Sequence, residues 1–85
     1  MSYIIAVFQN RNSALKFYHI LNEEGLSVSV ISTPKITGLG CSICVKLQSQ
    51  DYVLARTMLF QYGMNDLLGF YEIKKVNNEL TSRKL

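Results

Sequence analysis

The chain has 85 residues, 48% of them hydrophobic and 18% charged, with a formal net charge of +3. That length holds one domain burying roughly 60% of its unfolded surface, which leaves no room for a second. No apolar run approaches the ~20 residues that cross a bilayer, which excludes a membrane-spanning helix.

Residues 3–8, Tyr-Ile-Ile-Ala-Val-Phe, are β-branched or aromatic on both faces and read as a short buried strand. Gln9-Asn10-Arg11-Asn12 breaks the run, and Asn10 or Asn12 can cap a helix by accepting from a free backbone N–H. The helix is expected to reach about Glu24, with Ala14, Phe17, Tyr18 and Leu21 on its inner stripe and Gly25 as its stop. Val28 and Val30 then alternate with Ser27 and Ser29, giving a half-buried strand from Leu26 to Ser32 that ends at Pro34. After a loop containing Gly38 and Gly40, Ile43, Val45 and Leu47 form the apolar face of a third strand. Ser49 is placed to cap a second helix, with Asp51 in its first turn and Gly63 at its end. Tyr52, Ala55, Met58, Leu59 and Tyr62 make that helix's inner stripe, which leaves Val53, Leu54 and Phe60 outside it. Residues 70–74 read as a last strand, and residues 77–85 as a polar tail that frays.

The order is β-α-β-β-α-β, the split βαβ pattern of an α+β ferredoxin-like fold: an antiparallel four-stranded sheet with two helices on one face. The domain is expected to occupy residues 1–76. In this arrangement the first and third strands are central, so a first strand apolar on both sides needs cover on the face away from the helices. A homo-oligomer, formed through that open face or through the Val53/Phe60 side of the second helix, is the expected cover.

The residues 1–5, Met-Ser-Tyr-Ile-Ile, lack the basic region, apolar stretch and cleavage site of a secretory signal, so a cytoplasmic location is expected. There, two cysteines are expected as free or redox-active thiols rather than as a structural framework. Cys41 closes the glycine-containing loop just before the third strand, where a thiol is best placed to react. Gly38 and Gly40 would permit backbone amides to turn toward an anion, and Lys35 or Lys46 would add charge. The opposing reading makes Cys41 a small buried hydrophobe.

Cys41-Ser42-Ile43-Cys44 has the spacing of a redox pair, with Cys44 as a candidate resolving thiol. In an extended chain the two lie about 10 Å apart with side chains on opposite faces, which argues against a disulfide. The pair supplies half a zinc site, and His19 on the outer arc of the first helix has no ligand partner at helical spacing, so no metal or cofactor is expected. Glu23-Glu24 reads as a solvated helix end. Basic residues are scattered apart from Lys74-Lys75 and Arg83-Lys84, and the third strand lacks aromatic residues for base stacking, so nucleic acid is not expected as a partner.

Tyr3-Ile4-Ile5, Ala14-Leu15-Lys16, Glu24-Gly25, Thr33-Pro34-Lys35, Cys41 and Tyr62-Gly63 together resemble the Se/S carrier protein-like family of small domains, across nearly the whole chain. The resemblance implies a ferredoxin-like domain in which Cys41 carries sulfur or selenium and passes it to a partner transfer enzyme. The protein would then be a carrier rather than an enzyme. It also implies a basic residue at Lys35. Members usually follow this cysteine with glycine, whereas here Ser42 follows it. The alternative is a noncatalytic interaction module that uses its excess apolar surface.

Overall fold

A strand that is apolar on both sides has to be covered on both sides, and β1 (Ser2–Phe8) is. A computed structural model describes residues 2–85. In it Ile4, Ile5, Ala6, Val7 and Phe8 are all buried. β1 is the middle strand of an antiparallel sheet ordered β2-β3-β1-β4-β5. The other strands are β2 (Ser29–Ser32), β3 (Ile43–Leu47), β4 (Leu67–Val76) and β5 (Glu79–Lys84). None of the described helices is long and apolar enough to cross a membrane.

Helix α1 (Arg11–Glu23) starts where the sequence indicates: the Asn12 amide donates to Asn10 Oδ1 at 2.7 Å, filling one vacant bond of the first turn. It ends at Gly25, whose φ of 83° suits a residue without Cβ. Helix α2 (Tyr52–Gln61) departs from expectation at its start. Ser49 does not cap it; Ser49–Asp51 forms a 3-10 turn that feeds the helix, and no side chain caps the junction. β2 is also shorter than the alternation suggests, since Leu26 and Val28 pack into the core from the connection before it.

The helices cover the face carrying Ile4, Ala6, Phe8, Val45, Leu47 and Phe70. A chain of edge-to-face rings ties the layers together: Phe8 to Phe17 at 5.3 Å, Phe17 to Phe70 at 6.4 Å, and Phe70 to Tyr52 at 5.1 Å. Each such pair contributes about 0.5–1.5 kcal/mol beyond its buried area. Through these rings β1, α1, β4 and α2 share one core.

Residues 77–85 do not fray, and the sheet has five strands rather than four. Asn77 and Asn78 both adopt positive φ, 51° and 66°, the backbone of a two-residue hairpin whose twist matches the strands it joins. β5 then pairs with β4 from Val76↔Glu79 to Tyr71↔Lys84. Polar composition hid this strand, because an edge strand is held by backbone hydrogen bonds and surface pairs rather than by buried apolar area. One such pair is Arg83 to Glu72 at 2.9 Å.

The turn offers a direct check. Replacing Asn78 by Val forces a β-branched residue to positive φ and is expected to cost about 1–2 kcal/mol in urea unfolding. Asn78→Gly is expected to be neutral or stabilising.

Candidate functional site

The face of the sheet away from the helices is covered by the chain itself. Ile5, Val7, Cys44 and Ile73 form a second buried cluster there, and Leu39 and Cys41 of the β2–β3 loop pack onto it. At the neck of this loop the Thr33 amide donates to the Ser42 carbonyl at 3.2 Å. Lys35–Thr37 coils into a 3-10 turn that reaches β5. The turn is braced from inside: Thr37 Oγ1 donates to the Pro34 carbonyl at 2.9 Å and accepts from the Leu39 amide at 3.3 Å. The loop therefore lies under the sheet rather than standing out as a hairpin tip. At this face, the cover expected from a second subunit comes from within.

Both thiols belong to this underside, which corrects the opposite-face expectation. Strict alternation holds only inside a strand, and β3 begins at Ile43, after Cys41. Residue 41 is still loop, and the fold-back brings its side chain to the face that carries Cys44. Both cysteines are free. Cys41 is half-buried, and its S–H donates to the Phe8 carbonyl, with sulfur and oxygen 3.3 Å apart.

Cys44 has no exposed surface. Burial pushes its thiol up to about 11, since a thiolate there would lose its water; the nearby Thr33 hydroxyl works against this rise, and the Cys41 sulfur adds to it. Thr33 Oγ1 is itself buried without a hydrogen-bond partner of good geometry. Its effect on Cys44 is therefore that of a facing dipole rather than of a formed bond.

The other expected site residues divide between two ends of the molecule. Lys35 is exposed at the start of the 3-10 turn. Gly38 takes positive φ, as a glycine at a turn's end can, but its amide already donates to the Lys35 carbonyl at 3.0 Å. A side chain at Gly40 would meet only open space. Lys46 is at the far end of the sheet: its Nζ sits 4.5 Å from the centre of the Tyr3 ring. There it lines a groove of about 650 Å³ together with Ser2, Ser27, Ser29 and Ser49. Tyr3 and Phe8 stand five residues apart on β1, or about 17 Å, so this groove and Cys41 are separate features. His19 packs edge-on against Tyr18, and no cluster of three metal-ligating side chains occurs among the described residues.

Over residues 3–72 the chain matches the family described as "Putative Se/S carrier protein-like". The chain belongs to this family. No curated protein and no solved structure matches it. The Se/S carrier protein-like match ends within β4, so the Asn77-Asn78 turn and β5 lie beyond it.

Three parts of the thiol's surroundings carried no signal in the sequence: the Phe8 carbonyl, the Thr33 hydroxyl and the underside position of Leu39. A backbone carbonyl has no side-chain signature. A loop's direction across a sheet is likewise set by packing and not by residue type.

The raised Cys44 thiol makes stability depend on pH. Between pH 9 and about 11 the unfolded chain loses this proton while the folded chain keeps it, so stability falls as pH rises, by up to about 3 kcal/mol. The contribution is intact below pH 9. Urea unfolding across this range is expected to show a shallower decline for Cys44→Ala than for the parent.

Proposed function

We propose that this protein carries sulfur or selenium on Cys41 and hands it to a partner enzyme. The supporting observation is the division between the two thiols: Cys41 keeps solvent access at the border of loop and strand, while Cys44 beneath it is sealed. Family membership points to the same chemistry. The bond to the Phe8 carbonyl can be made only by S–H, so it describes a resting form. Loss of the proton breaks the bond and releases the sulfur from its acceptor.

The transfer is a balanced exchange. The Cys41 thiolate attacks the terminal sulfur of a donor persulfide; the new S–S bond forms at Cys41, the donor's S–S bond breaks, and the donor leaves as a thiolate. An acceptor thiolate reverses the step, and Cys41 returns to its thiolate. Selenium follows the same course with a terminal selenium atom. Lys35, Gly38 and Gly40 belong to the same loop as the thiol, and in this reading the loop shapes the approach of a donor. Cys44, the candidate resolving thiol, has no solvent access beneath the docked loop and takes no part in this exchange.

Treatment with a low-molecular-weight persulfide, followed by intact mass and peptide mapping, tests this reading. One added sulfur atom is expected on Cys41, with Cys41→Ser lowering uptake by at least about tenfold and Cys44→Ala retaining it. Uptake by Cys41 no faster than by glutathione would remove the carrier reading.

A second reading is favoured by one observation. Val53 and Phe60 stand seven residues apart on the same face of α2, each 74% exposed, and Leu54 is exposed too, as is Tyr62 just past the helix end, contrary to its expected inward place. Large apolar side chains held this far into water suit an interaction module, either a homodimer or a carrier docked to its partner. If the patch joins two copies, Val53→Glu with Phe60→Glu converts a dimeric mass to a monomeric one in light scattering. A monomeric mass for the parent at about 100 μM would leave the patch to a different partner.

A further inference from the structure

β5 ends the sheet, and its outer edge has no strand beside it. Which backbone groups face that edge follows from one bond: the Leu85 amide donates to the Phe70 carbonyl at 2.9 Å, so Leu85 turns its backbone toward β4. Backbone direction alternates along a paired strand, so Glu79, Thr81 and Arg83 also turn inward, while Leu80, Ser82 and Lys84 present their N–H and C=O groups outward. Those outward groups have no backbone partner among the described residues. Every β5 residue except Ser82 is exposed as well.

A free edge is normally blunted by a proline, a bulge or a charge at its middle. β5 has none of these. Its sequence, Glu-Leu-Thr-Ser-Arg-Lys, holds no proline, its register against β4 runs unbroken from Glu79 to Lys84, and its charges stand at the two ends around Leu80-Thr81-Ser82. The two ends are opposite in sign, so the strand is complementary to itself when run antiparallel. With Thr81 set against Thr81 of a second copy, Glu79 of each copy stands opposite Arg83 of the other. Arg83 then lies between Glu72 of its own chain, 2.9 Å away, and the second copy's Glu79, and its several N–H donors serve both. Leu80, 44% exposed, meets Ser82 of the other copy directly and the other Leu80 diagonally. The neighbouring register, Ser82 against Ser82, brings no opposite charges together.

We infer that β5 joins two copies of this chain edge to edge, antiparallel about Thr81, so that two five-stranded sheets run as one. Main-chain bonds from Leu80 and Ser82 hold the seam, and the pairs of Glu79 with Arg83 set its register. This contact is made by a different element from the Val53/Phe60 face of α2, and it does not depend on the carrier reading. β5 lies beyond the family match over residues 3–72, so the seam belongs to the terminal hairpin.

Sedimentation equilibrium at low salt reads the mass from about 10 to about 500 μM, and the parent is expected to pass from one chain toward two. Ser82→Pro removes an outward N–H and no bond to β4, so it is expected to stay at one-chain mass with its circular dichroism unchanged. Glu79→Arg alone and Arg83→Glu alone each set like charges across the seam and are expected to weaken association about tenfold. Mixed in equal amounts, the two variants are expected to associate again, since each charge then meets its opposite. In a Cys41→Ser background, Thr81→Cys treated with oxidised glutathione is expected to form a covalent dimer faster than Ser82→Cys, because unbonded pairs stand about 4.5 Å apart at Cα. A one-chain mass across the whole range, or cross-linking through residue 82 but not residue 81, overturns the assignment. A dimer that survives Ser82→Pro but is lost in Val53→Glu with Phe60→Glu overturns it too and places the joint on α2.

Discussion

The structure depends on one constraint: β1 is apolar on both sides and must be dry on both. Helices α1 and α2 meet that demand on the side of Ile4, Ala6 and Phe8, with a run of edge-packed rings between the layers. On the side of Ile5 and Val7 there is no helix, and the β2–β3 loop takes the place of one. Burying one large aliphatic side chain stabilises by about 1.5–3 kcal/mol, so a loop that shields two of them on β1, with Ile73 beside them, is held by more than its few hydrogen bonds. Everything about Cys41 follows from this docking. The loop was drawn under the sheet to exclude water, and the thiol went with it.

That origin explains a mixed environment that would be odd in a site shaped for reactivity alone. Apolar neighbours and a carbonyl acceptor both suit a protonated sulfur, whereas a carrier must at some moment offer a thiolate. The two requirements are compatible if the docked loop is the storage form and the transfer form arises as the S–H bond to Phe8 is given up. The neighbouring Cys44, held protonated by burial, is inert in the docked state for the same reason.

Much of this was legible in advance. The asparagine cap and glycine stop of α1, the outward position of Val53 and Phe60, and the two-sided burden of β1 all follow from local periodicity and turn chemistry, and all appear in the structure. The place of Cys41 where a loop meets a strand was legible too. Its direction was not. Side-chain parity is defined only within a strand, and the start of β3 at Ile43 left residue 41 free to turn toward Cys44. β5 was illegible for a related reason: Glu79 to Lys84 carries little apolar pattern, and what makes it a strand is the free edge of β4.

The amino-acid sequence by itself determined the two helices, the first four strands, the middle strand that needed cover twice, and the family to which the chain belongs. These depend on patterns within some ten to fifteen neighbouring residues, which physical chemistry reads without knowing the rest. Tertiary structure alone decided which segment supplies the second cover, that both sulfurs share a face, and that Phe8 lends its carbonyl. Each of these joins groups distant in sequence or turned by a loop, and packing selects such meetings through space rather than through order along the chain.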